Sequence, residues 1–277
     1  MSGFSAEWLA LREPFDHRAR NAQLRAAVTA HFAQRDQISI VDLACGAGSN
    51  LRGLVPYLPL RQTWRLVDHD PRLLAAAKNA LIAWADALES FDPLILLKGD
   101  RRIEVIFAGI DLVAAPGSAL DHGADLVTSA AFFDLVSPAW IKVFCAELAR
   151  RKQPLYAILT YSGEEVWLPP HPDDATILRA FHQHQGRDKG FGPAAGPRGA
   201  LLLREALEAQ GFRVAVELSP WRLTAADYPL VEALADGIAA AAAETQSAPA
   251  AMIANWRDAR RRATGCEIGH SDLFAIP

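Results

Sequence analysis

The chain has only three cysteines, Cys45, Cys145 and Cys266, among 277 residues. Their odd number and the absence of metal spacing match reduced cytosolic thiols rather than a disulfide framework or a cysteine metal site. No run of eighteen apolar residues occurs, which argues against a membrane-spanning helix. The opening Met-Ser-Gly-Phe-Ser-Ala-Glu-Trp lacks the charged-then-apolar form of a secretory leader. Lys and Arg number 28 against 32 Asp and Glu, a net charge of -4, so there is no basic footprint for nucleic acid. The expectation is a cytoplasmic protein with neither a nucleic-acid nor a membrane partner; its oligomeric state is not legible. With 51% hydrophobic residues the chain can bury a sizeable core.

The most informative stretch is 38–50, Ile-Ser-Ile-Val-Asp-Leu-Ala-Cys-Gly-Ala-Gly-Ser-Asn. Ile38, Ile40, Val41 and Leu43 have the composition of a buried parallel strand. Asp42 sits at its end, and the small residues Ala44 to Ser49 let the backbone pass close to a bound molecule. Ser49 or Asn50 can cap the helix expected from Leu51. A second strand, Trp64–Asp68, again ends in an acid, placed to accept ribose hydroxyls. A dinucleotide fingerprint needs a third glycine, and Leu51 stands there instead. Asp42, ahead of the glycines, would repel a pyrophosphate and suit an ammonium group.

Asp42, Ala44, Gly46, Gly48 and Asp68 together resemble the two cofactor motifs of the class I S-adenosylmethionine (SAM)-dependent methyltransferases, with Ala44 in place of the first glycine. The resemblance implies SAM as cofactor and a doubly wound α/β fold with a seven-stranded, mostly parallel sheet, its last strand antiparallel. It implies that Asp42, Ala44, Cys45, Gly46 and Asn50 surround the methionine part and that Asp68 holds the ribose. His69 would cover the adenine, Asp111 and Leu112 would meet its edge, and Ser129 would lie at the fourth strand's end. An arginine of an N-terminal helix can hold the cofactor carboxylate, and Arg20 is the candidate.

The rest of the chain reads in the same frame. Residues 5–35 are expected to be helical, with Ser5 as N-cap. Further helices are expected at 71–90, 138–151, 198–210, 229–246 and 249–262, and strands at 103–107, 124–128, 155–160, 212–218 and 268–276, with a hairpin or extended loop before 103. One domain of 1–277 results: a helical cap (1–35), a SAM-binding half (36–160), a substrate-side loop insertion (161–199) and the C-terminal half of the sheet (200–277). The insertion is rich in His, Asp, Gly and Pro, as functional loops often are.

The fourth strand leads into Ser129-Ala130-Ala131-Phe132 where base and glutamine N-methyltransferases of the resembled family carry an N/D-P-P-Y/F tetrad. Methylation by that device is not expected. The acceptor is therefore expected to be a small molecule methylated on oxygen or nitrogen, near Phe133, Tyr161, Trp167, His184 and Asp188. His184 and Asp188, with His182, are the candidate general bases. His171, His182, His184 and Asp188 do not follow a zincin spacing, and no metal is expected. Two other readings stay open: a non-catalytic SAM-binding or partner-binding protein of this fold, and an NAD-dependent oxidoreductase.

Overall fold

The structure is a computed structural model that describes residues 4–277; the first three residues of the expected cap lie outside it. Two helices open the chain, α1 (Ala6–Ala19) and α2 (Ala22–Phe32). Ser5 caps α1 as expected, its hydroxyl accepting the Trp8 N–H at 3.1 Å. The single helical stretch expected over 5–35 is broken because Arg20 adopts an extended backbone (ψ 131°) and Asn21 caps α2.

Alternating strands and helices follow: β1 (Gln37–Leu43), α3 (Ser49–Leu54), β2 (Arg61–Asp68) and α4 (Pro71–Trp84). Three strands come next, β3 (Ala87–Phe91), β4 (Leu94–Lys98) and β5 (Arg101–Gly109), then β6 (Leu126–Ala130), α5 (Pro138–Arg151) and β7 (Leu155–Leu168). The chain closes with α6 (Asp174–Gln185), α7 (Gly199–Glu208), β8 (Arg213–Leu218), β9 (Trp221–Thr224), α8 (Tyr228–Thr245), α9 (Ala250–Arg260) and β10 (Gly265–Ile276).

One sheet runs in the order β3-β4-β5-β2-β1-β6-β7-β10-β8, with β9 on β10. Strands β5, β2, β1, β6 and β7 are parallel neighbours, and β10 enters antiparallel between β7 and β8. Among the described residues the sheet has the seven expected strands and three more. The extra ones are β9 and the hairpin β3–β4, which ends α4 at Trp84 because the apolar Leu94–Leu97 gives Ala87–Phe91 a partner.

Period-two alternation sorts the central strands onto two layers. On one face Ile38, Ile40 and Leu66 pack with Leu24, Val28 and Phe32 of α2, Leu51 of α3 and Leu81 of α4. On the other, Val41, Leu43, Val67 and Val127 pack with Ile141, Phe144 and Leu148 of α5 and Leu203 and Leu207 of α7. A third cluster joins Tyr161, Trp167, Ile177, Trp221, Leu230 and Trp256.

That third cluster revises the expected loop insertion. β7 continues past Thr160 to Leu168 because the first half of β10 pairs with it, and His182–Gln185 complete α6. Within 161–199 the irregular stretches are the short one between β7 and α6 and the longer one between α6 and the turn before α7, and α8 packs on α6. Where β7 leaves the parallel sheet, Leu159 takes a left-handed φ of 56° at a bulge opposite β10. Buried Asp272 holds it there, accepting the Leu159 N–H at 2.9 Å and the Asn21 N–H at 2.8 Å. One carboxylate thus ties the N-terminal helices to the bulge.

Candidate functional site

The site begins where β1 ends. Ala44, Gly46 and Gly48 all have left-handed backbones, with φ of 49°, 52° and 75°. Alanine pays about 1–2 kcal/mol for that conformation, so the turn is tight enough to impose it even without the family's first glycine. At Gly46 there is a second reason: a Cβ would stand 2.9 Å from Leu9 Cδ1 of α1. Helix α1 also reaches the turn through Glu13, which takes the Arg52 Nε–H at 2.7 Å, and through His17, whose Nε2–H donates to the Ser49 carbonyl at 2.9 Å. It is a roof over the glycine turn.

Asp68, at the end of β2, accepts the Gly46 N–H and the Asp70 N–H, each at 3.0 Å. It therefore holds the turn in shape from the neighbouring strand. Gly48 is the N-cap of α3, in place of the expected Ser49 or Asn50, and Asn50 is buried within the first turn. Its amide donates to Asp42 Oδ1 at 2.7 Å and to Thr128 Oγ1 at 3.1 Å. Register explains the meeting: Asp42, Thr128 and Tyr156 are partners across β1, β6 and β7 and so share a face. Burial pushes the Asp42 carboxyl up to about 7, against the opposing hydrogen bond from Asn50 and the charge of Arg20. The Cys45 thiol is pushed up by burial as well, which suits a small filler of the turn rather than a reactive group.

Arg20 occupies the break between α1 and α2. It is 4% exposed, and none of its three guanidinium nitrogens has a hydrogen-bond partner. Burial lowers its pKa, and Tyr156, Asp16, Asp272 and Asp42 oppose that. Asp42 Oδ2, Asn50 Oδ1 and Ser129 Oγ are likewise buried without partners. Such groups each cost stability. A buried cation and a buried carboxylate, each with unused atoms, complement the two ends of a zwitterionic amino acid.

Gly53 of α3 lies directly under Arg20, and a Cβ there would stand 2.6 Å from Arg20 Cζ. Gly53→Ala is expected to push the guanidinium aside and weaken S-adenosylhomocysteine binding by roughly tenfold, about 1.4 kcal/mol. Calorimetric titration checks this, with far-ultraviolet circular dichroism confirming an intact fold.

The other expected cofactor contacts lie at the same ends of the strands. Ser129 is buried, His69 is exposed beside Asp68, and Asp111 is exposed beyond β5, accepting the Val113 N–H at 2.8 Å. Leu112 is buried, and its carbonyl accepts the Trp140 indole N–H at 2.8 Å.

Four expected acceptor-side residues are employed otherwise. Phe133 is fully buried, its ring 5.8 Å from that of Phe144, and belongs to the core. Trp167 packs edge-on to Trp256 in the third cluster, 4% exposed. His184 Nε2 pairs with Glu244 of α8 at 3.1 Å. The Asp188 carboxylate accepts the Gly190 and Gly192 N–H groups at 2.7 and 2.9 Å, folding its own loop. Phe133 and Trp167 are thus packed into apolar clusters, while His184 and Asp188 bond within their own neighbourhood. Among the described residues no group of three or more His, Cys, Asp or Glu converges as metal ligands would.

Tyr161 does lie in a polar cluster, with His182, one of the candidate bases, and with Glu165 and His270, which were not singled out. Its hydroxyl donates to Glu165 Oε1 at 2.9 Å and lies 3.1 Å from His182 Nε2. The His270 ring is 6.3 Å from the Tyr161 ring and 4.9 Å from the Trp221 ring. Trp221 donates to Asp16 at 3.0 Å, and Asp16 holds Arg12 through bonds of 2.9 and 3.1 Å. Burial raises Glu165 to about 7 and lowers His270 to about 3, so His270 is neutral. Asp134, after β6, faces the same cluster; burial raises it to about 6 against its own backbone N–H, the Arg12 charge and the Tyr161 N–H. A histidine inside the apolar last strand was the one available signal for this group.

No protein-family model matches the chain, and no curated protein matches it. Solved structures do. A cyclopropane-fatty-acyl-phospholipid synthase-like protein from Lactobacillus casei is 14% identical, with 99% of this chain and 94% of that one covered at a TM-score of 0.54. A candidate methyltransferase from Bacillus halodurans is 15% identical, covering 92% and 99%, at a TM-score of 0.51. The chain thus has the mixed α/β, mostly parallel fold of the class I methyltransferases.

Proposed function

We propose that the chain is a SAM-dependent methyltransferase acting on a small-molecule oxygen or nitrogen. The single observation that carries this reading is the buried, unpartnered Arg20 guanidinium beside Asp42, whose Oδ2 is also unpartnered. These residues fit the amino-acid end of SAM: Arg20 would bind its carboxylate bidentately, and Asp42, steadied by Asn50, would accept its ammonium group. Asp68 would accept the ribose hydroxyls while still holding the glycine turn. When bound, SAM supplies a methyl carbon made electrophilic by its sulfonium. Helix α1, with Leu9 over Gly46, would shield that end of the cofactor from water. The fold neighbours named as a methyltransferase and as synthase-like support the same cofactor.

The acceptor class is tested by incubating the protein with methyl-tritiated SAM and the low-molecular-mass fraction of a cell extract. Label should leave with a small molecule. Label found only in added protein or nucleic acid would overturn that part, and tight binding without any transfer would favour the non-catalytic alternative.

A further inference from the structure

Asp134 is a carboxylate fixed by its backbone and by the N–H groups of Asp134 and Tyr161, yet one of its oxygens is unused. Its backbone carbonyl accepts the Gly196 N–H at 2.9 Å. Gly199, at the start of α7, packs so closely that a Cβ would stand 2.8 Å from the Phe133 carbonyl oxygen and 2.9 Å from Asp134 Cα. The side chain is 7% exposed, and Oδ1 has no hydrogen-bond partner. Arg12, the cation whose charge acts on it most, is committed to Asp16 through two hydrogen bonds. A structural carboxylate at this depth would be paired. This one is rigidly mounted, has no ion-pair partner of its own and keeps Oδ1 unused.

Its surroundings come from five parts of the fold. Arg12 and Asp16 are on α1, Tyr161 and Glu165 on β7, His182 on α6, Lys189 in the following loop and His270 on β10. His270 Nδ1 is a second buried atom without a partner, on a residue 5% exposed. Two residues with an unused polar atom therefore neighbour Tyr161, past the carboxyl end of β6 and where β7 leaves the parallel sheet, the edge at which ligands bind in such sheets.

We propose that Asp134 takes the proton released by the methyl acceptor, and that the acceptor is accordingly an alcohol, phenol or amine with a hydrogen on the atom that is methylated. The proposal rests on the methyltransferase reading. The acceptor's lone pair forms the bond to the methyl carbon, the carbon–sulfur electron pair stays on sulfur, and the acceptor's proton passes to Asp134 Oδ1. A carboxyl titrating near 6 is ionised at neutral pH and is a stronger base than an ordinary aspartate. His270, neutral, offers Nδ1 to position the acceptor, and Tyr161, held by Glu165 and His182, backs the pocket.

The test uses methyl-tritiated SAM with phenol, catechol, ethanolamine and glycine as acceptors, and vesicles of dioleoylphosphatidylcholine, whose headgroup has no O–H or N–H, as a carbon acceptor. Transfer is expected to at least one hydroxyl or amine compound and not to the alkene. Asp134→Asn should lower kcat by roughly 100-fold or more while S-adenosylhomocysteine affinity stays within about twofold, and Asp134→Glu should recover part of the rate. With SAM saturating at every pH, so that Asp42 does not contribute, the wild-type kcat/KM for the acceptor should fall below about pH 6, about tenfold per unit, and the Asp134→Asn profile should be flat there. Unimpaired turnover by Asp134→Asn, transfer to the alkene alone, or no transfer to any hydroxyl or amine by a protein that binds S-adenosylhomocysteine would overturn the proposal. Failure of the wild type to bind S-adenosylhomocysteine would overturn the methyltransferase reading instead.

Discussion

Arg20→Met should bind S-adenosylhomocysteine roughly 100-fold more weakly than the wild type, about 2.7 kcal/mol, and yet unfold at the same or a higher temperature. The two effects have opposite signs because Arg20 contributes nothing to hydrogen bonding in the free protein. Its guanidinium is buried with three unpartnered nitrogens. Replacing a poorly compensated buried ion with an apolar group of similar volume is often neutral or stabilising by about 1–4 kcal/mol. Removing the partner of a buried carboxylate, as would happen in the complex, costs about 2–5 kcal/mol. Calorimetric titration and thermal unfolding of the same variant measure both. A variant that lost stability and kept its affinity would make Arg20 a structural residue and remove the main support for the carboxylate site.

The second large effect is on pH. The Asp42 carboxyl is raised to about 7 by burial, so below that pH the free protein carries it protonated. A ligand ammonium needs the ionised form. Affinity for S-adenosylhomocysteine should therefore be flat from about pH 7 to 8.5 and fall about tenfold per unit below 7, as linkage requires for one proton taken up on release. The stability of the free protein runs the other way. A carboxyl whose folded pKa lies above its unfolded value leaves the fold most stable at low pH, and that contribution is lost as pH rises through about 7. The thermal stabilisation given by a fixed excess of ligand should accordingly grow between pH 5.5 and 7.5. Asp42→Asn, which cannot titrate, should bind weakly with no slope over that range. A wild-type affinity independent of pH would place the ammonium elsewhere.

The parts of the site that could be read from the sequence are those whose chemistry is local in the chain. Asp42, Gly46, Gly48 and Asp68 sit at strand ends beside a small-residue turn, and a strand followed by such a turn declares itself through composition alone. Asn50 shows the limit. Its place near the turn was legible, but its bond to Asp42 depends on a helix that starts at Gly48 rather than at Leu51. The acceptor-side residues were harder because aromatics at strand ends look alike whether they line a pocket or fill a core. Phe133 and Trp167 proved to be core. Asp134, Arg12 and His270 meet only because α1, β6 and β10 converge, and nothing in the spacing of three residues so distant in sequence announces it. The strands before β5 were legible only as a hairpin or an extended loop, and β9 was missed, for a related reason: each is short and is defined by its partner rather than by its own period.

The measurement closest to the central claim is a calorimetric titration of S-adenosylhomocysteine into the wild type and Asp68→Ala, with NAD as the control ligand. Asp68 is buried at the end of β2 and bonds to the Gly46 N–H, so its loss should remove both the ribose acceptor and the brace of the glycine turn. The expected result is binding of S-adenosylhomocysteine near micromolar affinity, roughly −8 kcal/mol, no heat from NAD, and no detectable binding by Asp68→Ala. Binding of NAD in preference, or of neither ligand, would contradict the assignment of this turn to SAM.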